Sequence, residues 1–119
     1  LVAGCATWLL AACYTAWWAL RCDPERHRAE IERLYRESLS CYLKGEWRGA
    51  RLLCEQVLAR DETDAEALFH LGLVHVRLNQ FELARRAFRQ CLESAGGTTW
   101  RWEIERELER IKHLTIPSN

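Results

Sequence analysis

An offset of 34 residues superimposes two stretches of this chain without a gap, and no other feature of the sequence restricts the fold as strongly. Leu34 meets Leu68, Ser38 meets Gly72, Leu39 meets Leu73, Gly45 meets Asn79, Trp47 meets Phe81, Ala50 meets Ala84, Gln56 meets Gln90 and Leu58 meets Leu92. A period of this length suits two short helices and their turns, a unit that buries its apolar face only by stacking on a neighbour. The matched positions also sort by size. Gly72 or Ser38 and Ala84 or Ala50 are small where two helices of a hairpin would approach, and Trp47, Phe81 and Phe88 would fill the space around them.

Punctuation residues divide the repeat into helices. Asp23, Pro24 and Glu25 form a start signal, because aspartate caps, proline suits the first helical position and glutamate complements the helix dipole. That helix is expected to reach about Leu43, where Lys44 and Gly45 stop it. A second helix is expected over 47–60 and a third from the 61–64 turn to about Leu78, with Thr63 and Glu66 as its capping box. Asn79 and Gln80 turn the chain into a fourth helix over 81–95, stopped by Gly96 and Gly97. Thr98 or Thr99 would cap a fifth helix ending near Leu114, before Pro117. Its residues Trp100, Ile104, Leu108 and Ile111 make an apolar stripe suited to covering the open end of the second hairpin.

The period and the residue pattern together resemble the tetratricopeptide repeat family. The second unit carries the resemblance best, with Leu68, Leu71, Gly72, Phe81, Ala84 and Phe88 in the family's signature slots. The first departs at Glu37, Cys41 and Cys54, His75 replaces an aromatic in the second, and Glu62 and Gly96 stand where both units lack the turn proline. The resemblance implies a concave groove lined by the first helix of each hairpin. Its slots fall on Tyr35, Leu39, Tyr42 and Leu43 of the first unit and Phe69, Leu73, Val76 and Arg77 of the second. Family members that grip a terminal carboxylate use lysine, asparagine and arginine in these slots, and of the eight residues only Arg77 fits. The implied ligand is therefore an amphipathic helix or apolar strand of a partner protein, unless the chain's own linker covers the groove.

Ahead of the repeats, residues 1–20 carry no charge, and a helix of that length spans about 30 Å, the thickness of a bilayer's hydrocarbon core. Trp17 and Trp18 followed by Arg21 read as a membrane-interface belt. Arg21, Arg26, Arg28 and Arg33 put the rest of the chain on the cytoplasmic side. The expected fold is thus all-α: a single-pass transmembrane anchor over 1–22, two tetratricopeptide-like repeats over 23–98 (31–64 and 65–98), a capping helix over 99–114 and a tail at 115–119.

The chemistry-bearing residues point away from catalysis. His27, His70, His75 and His113 lack the spacing of metal ligands, since His70 and His75 are five apart and diverge on a helix. There is no glycine-rich phosphate loop or serine elbow, and the Glu and Arg residues of 101–110 alternate as a solvated helical face does. Cys5, Cys13, Cys22, Cys41, Cys54 and Cys91 include no CxxC pair and read as free thiols of a reducing compartment. Lys plus Arg and Asp plus Glu number 17 each, a balance that argues against nucleic acid as partner. The sequence thus implies a non-enzyme without cofactor, metal or small-molecule substrate, whose partners are proteins, subunits of a membrane complex. The leading expectation is a membrane-anchored scaffold or assembly factor. An accessory subunit held by its transmembrane helix comes next, then a receptor resembling import or fission adaptors.

Overall fold

A computed structural model describes residues 2–21 and 23–115, and these are helical throughout apart from short turns, with no strand among them. Leu1, Cys22 and residues 116–119 of the expected tail, Pro117 among them, lie outside the described residues. The elements are α1 (Val2–Arg21), α2 (Pro24–Leu43), α3 (Trp47–Arg60), α4 (Ala65–Arg77), α5 (Phe81–Glu93), a 3₁₀ turn (Gly97–Trp100) and α6 (Arg101–Thr115). The chain divides into two units, Leu1–Ile31 and Glu32–Asn119, the division falling within α2.

In the first unit α1 corrects the expectation of a membrane anchor. No helix among the described residues is long and apolar enough to cross a membrane. The length of α1 is sufficient, but lack of charge is not the same as strong apolarity. Alanine contributes little, Thr7, Thr15 and Tyr14 carry hydroxyls, and Trp8, Trp17 and Trp18 carry indole N–H groups. The single-pass membrane placement therefore falls, and with it the reading of Trp17, Trp18 and Arg21 as an interface belt. The hydroxyls of Thr7 and Thr15 donate back to the carbonyls of Gly4 and Ala12 at 2.8 and 3.0 Å. Trp17 stacks on Tyr14, ring centroids 6.2 Å apart, and the Arg21 guanidinium lies 5.0 Å from the Trp17 ring. Each of these contacts joins residues three or four apart, the spacing at which side chains on a helix meet.

The second unit is built on two hairpins, α2 with α3 and α4 with α5, whose turns coincide at the offset of 34 residues. Gly45 and Asn79 both take the left-handed backbone, at φ 79° and 58°. The Glu46 N–H donates to the Cys41 carbonyl at 2.9 Å, and the Gln80 N–H to the His75 carbonyl at 2.8 Å. The Gly45 and Asn79 N–H groups donate to the Tyr42 and Val76 carbonyls, each at 3.1 Å. Both helices thus end in a Schellman motif, which satisfies orphan carbonyls and needs a glycine or asparagine at the left-handed position. The imidazole Nδ1 of His75, 2.8 Å from Gln80 Oε1, adds a side-chain clasp to the second turn.

Inside each hairpin the helices meet at a small residue, and the two hairpins do so by different means. A Cβ added at Gly72 would come under 3.0 Å from the Phe88 ring, and Phe88 is fully buried. Thirty-four residues earlier the same slots hold Ser38 and Cys54. The Ser38 Oγ lies 3.0 Å from the Cys54 Sγ and donates to the Ala50 carbonyl at 3.3 Å. A ring against a bare backbone in one unit becomes two mid-sized polarizable groups in the other. Ala50 and Ala84, both 0 % exposed, keep the second contact of each pair short.

α6 closes the stack from the far side of the second hairpin. Ile104 and Ile111 are fully buried with Leu68, Phe69, Ala84, Phe88 and Cys91, while Trp100 and Leu108 pack against this cluster. The N-termini of α4 and α6 differ from expectation. Asp64 caps α4, its Oδ1 accepting from the Ala67 N–H at 3.0 Å, and Thr63 instead donates its N–H and hydroxyl to Asp61. α5 ends at Glu93, and Gly97 enters the 3₁₀ turn rather than a threonine-capped start, because its α-carbon lies so close to the Cys91 carbonyl that no side chain fits.

Two predictions follow the geometry of this unit. Gly72→Ser should destabilise the chain by about 1–3 kcal/mol through overpacking, and Phe88→Cys by about 3 kcal/mol or more through a cavity. In the double variant, which transplants the first unit's pair, urea unfolding should show the two losses offsetting by about 1 kcal/mol or more. Asp64→Ala should cost about 1 kcal/mol and Thr63→Ala clearly less, read from thermal midpoints.

Candidate functional site

The eight residues expected to line one groove are divided by the structure into different environments. At one end, Tyr35 of α2 meets His70 of α4 edge-on at 5.2 Å, and Phe69 stacks flat on Trp100 at 4.6 Å with an interplanar angle of 10°. His70 also faces Trp100, at 6.4 Å. Phe69 is buried by this stacking, 7 % exposed, so it belongs to the core rather than to a free surface. Trp100 reaches it because the 3₁₀ turn swings the chain back over α4 before α6 begins.

Burial governs the chemistry of this aromatic end. The Tyr35 hydroxyl is buried without a well-formed hydrogen bond. Desolvation, and then the nearby Glu66 carboxylate, hold its pKa above the ordinary phenol value. Desolvation lowers the pKa of His70, with Glu66 opposing. Burial likewise raises the thiol pKa values of Cys54 and Cys91, which keeps both as unreactive thiols. Cys91 donates to the Ala65 carbonyl at 3.1 Å and so serves packing.

At the other end Tyr42, Leu73, Val76 and Arg77 line one open hollow of ≈ 290 Å³. Its remaining walls are residues that the sequence reading did not assign to the groove: Asn79 from the turn, and Glu107, Arg110 and Leu114 from α6. The signal for Leu114 was present, since it continues the apolar stripe three residues beyond Ile111. Glu107 and Arg110 carried no such signal, because only the packing of α6 decides which of its charged faces meets α4. Leu43, next in the chain to Tyr42, is 84 % exposed, and Leu39 is half-buried.

The cations of the hollow are engaged. Arg77 Nε donates to the Tyr42 hydroxyl at 3.5 Å, and its guanidinium lies 5.4 Å from the ring centroid of Trp47, which itself meets Tyr42 edge-on at 5.0 Å. Arg110 pairs with Glu107 at 3.6 Å. Among the described residues, no group of three or more His, Cys, Asp or Glu is placed to hold a metal ion, and the described cysteines are free thiols.

His70 makes the aromatic end sensitive to pH. Its folded pKa lies below the ordinary value of 6.5, so the unfolded chain binds more protons than the folded one as pH falls through that value. Stability should be full above about pH 6.5 and decline as the pH falls below it. His70→Gln should flatten this slope in urea titrations, leaving the loss below about pH 5 to the carboxylates.

The arrangement of α4, its turn and α5 also has a counterpart among known families. Residues 65–97 match the family model of the tetratricopeptide repeat. The match covers the hairpin in which Leu68, Leu71, Gly72, Phe81, Ala84 and Phe88 stand. No curated protein and no solved structure matches the chain significantly. Repeats of this family are protein-interaction modules, and the match suggests a module of that kind at residues 65–97.

Proposed function

We propose that residues 31–114 act as a non-catalytic docking module, a scaffold or assembly factor, which takes a segment of another protein at the hollow between α2, α4 and α6. In this reading 31–64 and 65–98 are two repeats of one kind and 99–114 their cap. The shared Schellman turns, the equivalent close contacts at Ser38 and Gly72, and the family match over 65–97 support it.

The observation that carries the reading is the hollow itself. Leu73 and Val76 form its apolar wall on α4, and Tyr42 and Leu114 approach from α2 and α6. A groove of this kind is suited to the apolar face of an amphipathic helix, where burial supplies the affinity. Tyr35, Leu39 and Phe69 have no part in contact with the partner in this reading, because they pack within the module.

Selection of helical peptides from a displayed random library should return binders whose NMR shift changes cluster on Tyr42, Leu73, Val76 and Arg77. Leu114→Asp, at an exposed residue of the hollow's wall, should weaken them about tenfold, which corresponds to about 1.4 kcal/mol. Binders whose shift changes fall on the outer face of α5, or that ignore Leu114→Asp, would remove the hollow from the reading.

A further inference from the structure

The position of Arg77 in a groove invites the assumption that it grips an anion, yet its surroundings give it other work. Its Nε bonds the Tyr42 hydroxyl at 3.5 Å and its plane covers Trp47 at 5.4 Å, while Tyr42 and Trp47 hold each other edge-on at 5.0 Å. The three side chains come from three helices, α2, α3 and α4, and form a closed triangle that ties the end of the first hairpin to the end of the second. A planar guanidinium can lie over a ring and donate from a fixed edge at once, whereas an ammonium is a compact point charge with no plane to stack.

The other polar walls of the hollow are also committed. Arg110 is paired with Glu107 at 3.6 Å, and Asn79 holds the left-handed turn at φ 58°. What remains without a polar partner is apolar: Leu73, Val76 and Leu114. The volume, ≈ 290 Å³, lies at the lower end of the range of about 300–1,000 Å³ typical of small-molecule pockets. That space suits a bulky side chain anchored from a longer segment. Glu107, paired with Arg110, already offsets part of the positive charge that an anionic group would meet in the hollow.

We infer that Arg77 is a positioning residue that braces Tyr42 and Trp47, so that the hollow receives an uncharged, bulky apolar side chain from an internal stretch of the partner. The inference rests on the docking reading above. It means that binding needs neither a terminal carboxylate nor a point charge at position 77.

The test uses the full chain and a capped helical peptide of about 16 residues built from leucine, alanine and glutamine. The peptide is made once as the C-terminal amide and once as the free acid. Amide and acid should bind within about twofold of each other, with little change between about 50 and 500 mM salt. Arg77→Lys and Arg77→Gln should weaken both peptides to the same extent, about tenfold, and should shift the Trp47 indole cross-peak alike while circular dichroism keeps the helical content. Tighter binding of the free acid by about tenfold, steep loss with salt, or wild-type affinity in Arg77→Lys would overturn the inference and leave the hollow as the docking site. Absence of peptide binding by the wild-type chain would count against the docking reading itself. The Trp47 cross-peak of the free variants then decides the bracing role, and an unchanged peak in both defeats it.

Discussion

The second unit depends on how closely two helices of a hairpin can approach. Backbone-to-side-chain contact at Gly72 and Phe88 sets that distance in one hairpin, and the Ser38–Cys54 pair sets it in the other. Each pair fills a similar space with a different division of volume, which a close-packed interior requires. Around these points Ala50 and Ala84 stay small, and the Schellman turns at Gly45 and Asn79 return the chain at matching places. The hollow beside Val76 exists because both hairpins keep the same pitch and α6 takes the next place in the stack.

The ends of that concave side differ because α6 treats them differently. Near the 3₁₀ turn, Trp100 lies flat on Phe69 and the space closes into an aromatic cluster with Tyr35 and His70. Near Leu114 the helix stands off and leaves room between Tyr42 and Val76. The two ends of one surface thereby differ: aromatic packing secures the cap, and the partly apolar hollow remains accessible. The buried thiols of Cys54 and Cys91 serve contact rather than reactivity.

Much of this was legible from particular residues. Gly45 and Asn79 marked the turns because few residues tolerate a left-handed backbone, and Gly72 opposite Phe88 marked the close approach because nothing larger fits. The stripe of Trp100, Ile104, Leu108 and Ile111 foretold which face of α6 is buried. Capping was less legible. Thr63 and Asp64 are both competent caps, and the choice of Asp64 followed from Asp61 binding Thr63 in the turn. The largest misreading concerned α1, where an uninterrupted run without charge was equated with enough apolarity to cross a bilayer. Alanine, threonine, tyrosine and tryptophan give a neutral helix whose apolarity is too shallow for that.

By itself, the sequence determined the helices, their turns and the pairing of small with large side chains, because these depend on local backbone preference and on volumes repeated at a constant interval. Only the tertiary structure decided which groove residues remain accessible. That outcome depends on where Trp100 and α6 come to rest, and on Arg77 finding Tyr42 and Trp47, each far away along the chain. Side chains distant in sequence acquire partners only when packing brings their helices together, and no local pattern encodes that choice.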